Sequence, residues 1–334
     1  MKAQYVAELV EGCRVDTALV LRAKDMRLAR TGDAFLSLEF ADRSGQIAGV
    51  YFRPDPGVAA VPVGSVVHVR GTLTSFRTKK RVSVESLRPL NEWDPADFLS
   101  PGPRDEAELL VELRGLVASV SDPTLGAVLK AVFSDREFFS RFKLCPASQS
   151  YHHAHLGGLL EHTVSVASLC DTLSHTYNAV DRDLLVSAAL LHDIGKVEEI
   201  GFATSIEYTD EGRLIGHVVL GIRRIHNAAA RVRTRTRPDV LMRLEHAVLS
   251  HHGELEWGSP KRPSTLEALL LHHADNLDAK ASGFAALLSG ASLAEEVWTD
   301  SSNLFRRPLY APRPAEDDRQ ACSLEDEAYV CASA

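Results

Sequence analysis

Seven histidine and aspartate side chains, spread between positions 162 and 275, restrict the fold of this chain more than any other sequence feature. Each lies in or beside a segment whose apolar residues recur at helical spacing, as Leu159, Leu160 and Val166 do around the first histidine. Imidazole and carboxylate groups hold Mn²⁺, Fe²⁺, Co²⁺ or Zn²⁺ and leave positions open for water and a phosphate oxygen. We therefore predict a helical fold that brings the seven together as metal ligands. They are His162, His192, Asp193, His217, His251, His252 and Asp275.

A glycine and a lysine follow closely after the pair His192-Asp193. Gly195 can end a helix and let the backbone approach a ligand. Lys196 places a positive charge beside the metal pair, where it can meet a phosphate group. We predict Asp193 and Lys196 as catalytic residues. Taken singly, a buried histidine is more often a core residue than a ligand, so the prediction rests on the whole set.

The helix that carries Asp275 has a second histidine on the same face. His272 lies one turn before Asp275, and we expect it to support the metal ligands. A capping box formed by Ser264 and Glu267 is predicted to begin this helix. Four further histidines have no matching context and are assigned to the surface or to ordinary packing. They are His68, His175, His226 and His246.

Five short segments rich in β-branched and aromatic residues occupy the first ninety positions. They span residues 15–21, 35–40, 46–52, 66–73 and 81–87. Turn-forming residues separate them, as in the stretch Asp42-Arg43-Ser44-Gly45. Five short strands are the number found in an OB-fold barrel. The predicted fold is therefore multidomain, with an N-terminal all-β OB-fold barrel followed by an all-α helical bundle.

The connection between the fourth and fifth predicted strands carries an aromatic ring among cations. An aromatic ring can stack on a base while the cations neutralise phosphates, and this loop of an OB-fold often contacts oligonucleotides. A solvated hairpin tip is the alternative, because most charge runs are solvated. The candidate substrate-binding residues of this loop are Phe76, Arg77, Lys79, Lys80 and Arg81.

Composition limits the class of protein. The five cysteines are odd in number and form no C-x-x-C pair, which argues against a disulfide framework or a zinc ribbon and favours the cytoplasm. No signal-like segment and no run of about 18 apolar residues is present, so we expect no membrane association. The net charge of -8 argues against a uniformly basic surface for nucleic acid. A local basic segment, with arginines at 223, 224, 231, 233, 235 and 237, either lines a path to the metals or is a solvated helix end.

The chain is predicted to divide into four parts. The barrel covers residues 1–92, and a linker rich in proline and glycine covers 93–104. The helical domain covers 105–312. An acidic tail, 313–334, is predicted to be poorly ordered.

Four stretches of the helical region resemble one known family. They are HHAHLGGLLEHT (152–163), LLHDIGK (190–196), GHVVLG (216–221) and SHHGELEWGSPKRPSTLEALLLHHADNLDAK (250–280). They resemble the HD domain of the YhaM-type 3′-to-5′ exoribonucleases, in which an OB-fold nucleic-acid-binding domain precedes the HD phosphohydrolase domain. The resemblance implies 3′-to-5′ hydrolysis of single-stranded RNA, with single-stranded DNA as a further candidate. A homo-oligomer is compatible with it.

The resemblance also implies roles for the candidate ligands. His162, His192, Asp193 and Asp275 would hold one divalent ion, and Asp193 would bridge to a second held by the other three histidines. We expect Mn²⁺, with Fe, Co, Mg or Ni as alternatives. His152, His153 and Lys196 would contact the phosphate. A carboxylate one turn before His162 could join a third ion, but Gly158 stands there and Glu161 directly precedes His162, so two ions are expected.

Two functions of other classes remain open. The same metal ligands would serve an HD phosphohydrolase acting on dNTPs or a signalling nucleotide. A non-catalytic nucleic-acid-binding scaffold is the second alternative, although every expected ligand is present.

Overall fold

The N-terminal residues form a closed five-stranded barrel in the computed structural model, which describes residues 2–28, 32–54, 57–76, 79–150, 153–232, 237–293 and 297–312. The strands are β1 Arg14–Leu28, β2 Ala34–Asp42, β3 Gly45–Phe52, β4 Val66–Phe76 and β5 Lys79–Pro89. They follow the order β1-β2-β3-β5-β4, and β1 pairs with β4 to close the barrel. The β3–β5 pair is parallel and the other pairs are antiparallel. The predicted OB-fold barrel is confirmed, with strands longer than the sequence indicated.

Alternating side chains fill the barrel. Val67, Val69 and Leu73 of β4 are fully buried, as the two-residue period of a strand predicts. The register of the β4–β5 pair shifts between Arg70 and Gly71. A Cβ at Gly71 would lie 2.2 Å from the carbonyl oxygen of Ser83, so glycine permits the close approach of the two strands.

The predicted linker packs against the barrel. The carboxylate of Asp94 caps a short 3₁₀ helix, Pro95–Asp97, and the ring of Phe98 is buried beside Val20 and Val66. The hydroxyl of Tyr5 donates to Asp97 over 2.8 Å. Proline in this segment therefore shapes an ordered connection.

The helical region follows the linker. Its long helices are α1 Glu106–Ala118, α2 Pro123–Phe133, α4 Gly158–Thr176, α5 Arg182–Leu191, α8 His217–Arg231, α9 Pro238–Ser250 and α10 Leu266–Leu293. The short ones are α3 Arg136–Phe142, α6 Lys196–Glu199 and α7 Asp210–Ile215. A hairpin of two three-residue strands, β6 Ile200–Phe202 and β7 Ile206–Tyr208, interrupts the helices. The helical bundle is confirmed, but the hairpin was not predicted because such short strands carry no periodic signal.

Helix α5 lies at the centre of the helical core. All of its residues from Leu184 to Leu191 are buried, and it packs mainly against α4 and α9. The buried helix therefore presents the residues that follow Leu191 to the interior. Among the described residues, no helix is long and apolar enough to cross a membrane.

Side-chain caps begin the long helices α2 and α10. The carboxylate of Asp122 accepts from the backbone N–H groups of Thr124 and Leu125 at the start of α2. The predicted capping box of α10 is wrong. The hydroxyl of Thr265 accepts from the N–H of Ala268, while Glu267 accepts from the N–H of Asp181.

The hairpin β6–β7 contacts the barrel. The guanidinium of Arg22 donates to the carbonyl of Thr204 over 2.8 Å, and the hydroxyl of Thr204 lies 3.3 Å from the carbonyl of Gly64. Two hydrogen bonds therefore connect the barrel with the helical region at this point.

The chain divides into two compact units, Met1–Asp275 and Asn276–Ala334. Within the described part of the second unit, Trp298 and Tyr310 pair across an isolated bridge, and Phe284 packs on Phe305 with ring centroids 5.2 Å apart. The predicted substrate contacts His152 and Arg77, the arginines at 233 and 235, and the tail 313–334 lie outside the described residues.

Candidate metal centre

The end of helix α5 supplies two adjacent candidate ligands. His192 and Asp193 are buried directly after Leu191. The Nδ1 atom of His192 lies 2.7 Å from the carbonyl oxygen of Ala189. A carbonyl can only accept, so Nδ1 carries the proton and Nε2 of the neutral ring presents its lone pair to the interior.

Glycine allows α8 to approach this turn. A Cβ at Gly195 would lie 2.0 Å from the carbonyl oxygen of His217 and 2.5 Å from the nitrogen of Gly221. No side chain fits at position 195 without moving α8. Gly195 was predicted to let the backbone approach a ligand; in the structure it lets α8 approach, which brings His217 to the centre.

One group of candidate ligands surrounds a single oxygen of Asp193. Oδ2 of Asp193 lies 3.4 Å from Nε2 of His162 and 3.3 Å from Nε2 of His192. Oδ1 of Asp275 lies 3.1 Å from the same His162 atom. Donors around one ion with bonds of about 2.1 Å are spaced about 3.4 Å apart, so these four residues fit one cation.

A second group faces the other oxygen of Asp193. Oδ1 lies 3.5 Å from Nε2 of His217 and 3.7 Å from Nε2 of His251. Nε2 of His252 lies 3.2 Å from Nε2 of His217. The structure therefore brings together all seven predicted ligands in two groups that share Asp193.

Backbone and side-chain acceptors orient the second group. Nδ1 of His251 lies 2.7 Å from the carbonyl of Val248, and Nδ1 of His252 lies 3.1 Å from that of Trp257. Nε2 of His251 is buried and has no hydrogen-bond partner within the described residues. A buried lone pair without a partner destabilises the folded protein unless it binds a ligand. The Nε2 atom of His251 is therefore suited to bind a metal ion.

Glu199 is a site residue that the sequence did not reveal. One of its oxygens accepts from both the backbone N–H and the Nδ1–H of His217, each over 3.0 Å. Burial opposes ionisation of Glu199, but hydrogen bonding to His217 outweighs it, so the pKa of Glu199 is lowered. No sequence signal separates it from the adjacent Glu198, whose partner is Arg224.

Charges in the centre reinforce one another. Burial opposes ionisation of Asp193, but the Lys196 ammonium holds the pKa of this carboxyl well below its usual range. Burial lowers the pKa of Lys196, and Asp193 raises it by more, so the lysine stays charged. The Lys196 ammonium and the Asp193 carboxylate are 2.6 Å apart.

Burial and the neighbouring His252 lower the pKa of His251 well below its usual range. The ring of His251 therefore stays neutral and can act as a metal ligand.

Two further predicted residues border the centre. The ring of His153 is buried, with its centroid 5.6 Å from that of His162. Nδ1 of His272 donates to the carbonyl of His251 over 2.8 Å. His272 therefore fixes the backbone of a candidate ligand, as expected of a supporting residue.

The predicted loop residues lie on the barrel face. Lys79 and Lys80 line a groove of about 950 Å³ together with Lys24 and Arg27. The guanidinium of Arg81 lies over the exposed ring of Phe76, 4.4 Å from the ring centroid. The structure thus places Lys79 and Lys80 at the groove and pairs Phe76 with Arg81.

Three of the four described arginines of the basic segment have acidic partners. Arg224 pairs with Glu198 and lies over the ring of Phe138, and Arg223 reaches Glu211 at 4.0 Å. Arg237 pairs with Asp239. These ion pairs favour a structural role for the basic segment and argue against its binding a phosphate backbone on the way to the metals.

Known proteins match this chain over almost its whole length. Residues 159–280 match the model of the HD domain family. The 3′-5′ exoribonuclease YhaM of Bacillus subtilis (strain 168) is 32% identical over 322 residues, which are 95% of this chain and 95% of that protein. The chain belongs to the YhaM family. The YhaM protein of Geobacillus sp. (strain WCH70) is 31% identical over 316 residues, 92% of this chain and 96% of that protein.

The predicted membership of the YhaM family is confirmed, and both YhaM relatives align across the barrel and the helical region. Two solved structures overlap about a quarter of the chain. One is the second OB-fold domain of replication protein A from Methanococcus maripaludis, with 18% identity, 27% of this chain, 97% of that chain and a TM-score of 0.23. The other is a replication protein A heterotrimer bound to ssDNA, with 24% identity, 25% of this chain, 61% of that chain and a TM-score of 0.20. In this YhaM family member, the OB-fold assignment rests on the barrel topology itself.

Proposed function

We propose that the protein is a metal-dependent 3′-to-5′ exoribonuclease acting on single-stranded RNA. The observation that carries the proposal is the position of Asp193, whose two oxygens face separate groups of histidines. The printed name of both relatives, 3′-5′ exoribonuclease, supports the polarity and the substrate. The lowered pKa values of His251, Asp193 and Asp275 favour a neutral ring and two ionised carboxylates, the protonation states that metal binding requires.

The centre is proposed to hold two divalent ions, with Mn²⁺ as the first candidate. The two ligand groups each contribute imidazole and one oxygen of Asp193, which suits Mn, Fe, Co and Ni, and Mg less well. When bound, such ions make water a nucleophile near neutral pH and stabilise charge on phosphoryl oxygens.

The residues of the chain position this chemistry. Asp193 and Asp275 stay ionised, and Glu199 holds the ring of His217 in the orientation that points Nε2 inwards. Lys196 remains protonated beside Asp193 and supplies a positive charge for the phosphate to be cleaved. These assignments give Asp193 and Lys196 the catalytic roles.

The barrel groove is proposed to hold the RNA strand upstream of the cleaved end. Lys79, Lys80 and Lys24 line it and can neutralise phosphates, while the exposed ring of Phe76 offers a stacking surface. Single-stranded DNA remains a second substrate candidate, since stacking and phosphate contacts do not read the sugar. A cytoplasmic location is also proposed, consistent with the free thiols of Cys13, Cys145 and Cys170.

A time course on 5′-labelled single-stranded RNA with Mn²⁺ tests the proposal. A 3′-phosphorylated copy, single-stranded DNA, a dNTP panel and the Asp193→Asn variant run beside it. A ladder that shortens from the 3′ end, is blocked by the 3′-phosphate and is absent in the variant supports the exoribonuclease. Intact RNA with hydrolysed dNTPs would instead assign a nucleotide phosphohydrolase, and RNA binding without any hydrolysis would assign a scaffold.

A further inference from the structure

A second cluster of metal-binding side chains lies beside the candidate metal centre. It consists of His153, His155 and Glu161, and their ligand atoms lie within 4.8 Å of one another. Nδ1 of His153 lies 3.8 Å from one oxygen of Glu161, and Nε2 of His155 lies 3.5 Å from the other. Glu161 is 6% exposed and His153 is 8% exposed, so the carboxylate lies away from bulk water.

The hydrogen bonding of His155 leaves a lone pair facing the carboxylate. Its Nδ1 lies 3.1 Å from the carbonyl of Leu156, so the proton of the neutral ring resides on Nδ1. Nε2 then presents its lone pair to Oε2 of Glu161. His192 and His251 of the metal centre show the same pattern, in which a carbonyl holds Nδ1 and Nε2 points at a carboxylate.

The distances distinguish a shared cation from a hydrogen bond. Hydrogen bonds between nitrogen and oxygen span about 2.7–3.2 Å, and both contacts of Glu161 are longer than that. Donors spaced 3.5 and 3.8 Å apart instead resemble the roughly 3.4 Å spacing around one ion with bonds of about 2.1 Å.

The backbone around the cluster is arranged to bring these atoms together. His153 has a φ of 49°, a left-handed conformation that is rare for residues other than glycine. A Cβ at Gly158 would lie 2.0 Å from the carbonyl of His153, and a Cβ at Gly102 would lie 2.5 Å from the ring of His155 and 2.9 Å from Glu161. Glycine at 102 and 158 therefore leaves the space that the cluster occupies.

We propose that His153, His155 and Glu161 form a separate mononuclear site for a divalent transition metal ion, with Zn²⁺ as the best match. Two imidazoles and one carboxylate are a common zinc ligand set that leaves a fourth position open. None of its three residues belongs to the two groups around Asp193, although the ligand atoms of His153 and His162 lie within 4.8 Å of one another. The proposal stands whether or not the chain degrades RNA. It gives His153 a role other than the phosphate contact predicted from the sequence.

An ion at this site would stabilise the segment that connects the barrel to the helical region. The N–H of Leu156 donates to the carbonyl of Ser100 over 3.0 Å, and the N–H of Gly102 donates to the carbonyl of Leu156 over 3.3 Å. The ion would connect the loop at 153–155, which precedes Leu156, to the first turn of α4. The ion would therefore stabilise the segment through which the chain enters the helical domain.

Zinc stoichiometry of the full chain tests the site. The metal-stripped protein is titrated with Zn²⁺ against a chromophoric chelator, and the tightly bound ions are counted by mass spectrometry after gel filtration. The wild type is expected to hold one equivalent more than Glu161→Gln and one more than His155→Phe. His175→Gln, an exposed histidine far from any cluster in the sequence, controls for loose binding and should match the wild type.

A second comparison separates this site from the metal centre. Asp193→Asn should lose zinc from the centre, and Asp193→Asn/Glu161→Gln should hold one equivalent less than Asp193→Asn. Equal counts in the wild type and in a folded Glu161→Gln or His155→Phe protein overturn the proposal. Because the side chain of His155 is partly exposed, His155→Phe gives a reading even if Glu161→Gln does not fold. Loss of zinc in Asp193→Asn alone would support the centre and reject this site.

Discussion

The ammonium nitrogen of Lys196 lies 2.6 Å from the Oδ2 atom of Asp193, the oxygen that also faces His162 and His192. One carboxylate oxygen therefore serves a lysine and two histidines. Lys196 is the first residue of α6, three residues after Asp193, and its side chain is largely buried beside that carboxylate.

Lys196→Met is expected to lower kcat by about 10²–10³-fold with a smaller effect on KM, because the positive charge matters most when charge develops on the phosphate. Single-turnover rates on labelled RNA measure this. Lys196→Arg keeps the charge and should recover part of the rate. An unchanged rate in a Lys196→Met protein with full metal content would remove the lysine from the mechanism.

Asp193→Asn should abolish hydrolysis while leaving oligonucleotide binding within about twofold of the wild type. Asparagine has one neutral oxygen and an NH₂ group in place of the two carboxylate oxygens, so it cannot present an oxygen to both histidine groups. Fluorescence anisotropy with labelled RNA and the hydrolysis assay are run on the same preparation. Wild-type turnover in a metal-replete variant would contradict the two-group arrangement.

Glu199→Gln is expected to weaken metal affinity by about 10–100-fold, because the carboxylate orients His217 and makes its ring a better donor. Chelator competition measures the change. Glu198→Gln is the matched control, since its partner is Arg224 and it should change stability more than metal affinity. Equal metal affinities in the two variants would argue against the role of Glu199.

Lys79→Ala should weaken binding of single-stranded RNA and reduce the slope of log K against log salt concentration by about 0.7, the loss of one phosphate contact. Lys79 is preferred to Lys80, whose ammonium also holds the carbonyl of Leu9. Lys130→Ala on the exposed side of α2 serves as the control and should leave the slope unchanged. A normal slope in Lys79→Ala would place the RNA elsewhere.

The ion pair of Lys2 and Asp42 is expected to make the barrel sensitive to acid. Burial opposes ionisation of Asp42, but Lys2 and Ser44 outweigh it and lower its pKa, while Lys2 stays charged throughout the acid range. A depressed carboxyl pKa stabilises the fold above the unfolded value of about 3.9, and this stability is lost as the pH falls through the folded pKa.

The difference in the free energy of unfolding between the wild type and Asp42→Asn, here called the stability gap, should therefore decrease as the pH falls from about 5 to 3. Urea unfolding at several pH values measures the gap. Asp25→Asn is a control because its carboxylate is mostly exposed and pairs only with Arg27 among the contacts described. A gap that is constant across this range would mean that the pair does not couple folding to protonation.

Ligand types made the metal centre predictable, whereas geometry decided its surroundings. His192, Asp193 and His217 could be recognised in the sequence, because few other roles of histidine and aspartate require this spacing. Glu199 could not be chosen over Glu198, since only the fold shows which carboxylate faces His217.

The cluster around Glu161 escaped prediction for a related reason. It depends on the left-handed backbone of His153 and on a glycine at 102 that is distant in sequence. Local capping was also ambiguous, because Ser264 and Thr265 are adjacent and only the hydroxyl of Thr265 reaches the helix.

The contacts of Thr204 with Arg22 and Gly64 have a consequence for how digestion ends. These hydrogen bonds would keep the proposed RNA groove of the barrel at a fixed distance from the candidate metal centre. RNA too short to reach from the groove to that centre would keep only one of the two contacts and would dissociate. The hairpin contact would then act as a molecular ruler, and the length of the final fragment would record the span between the two sites.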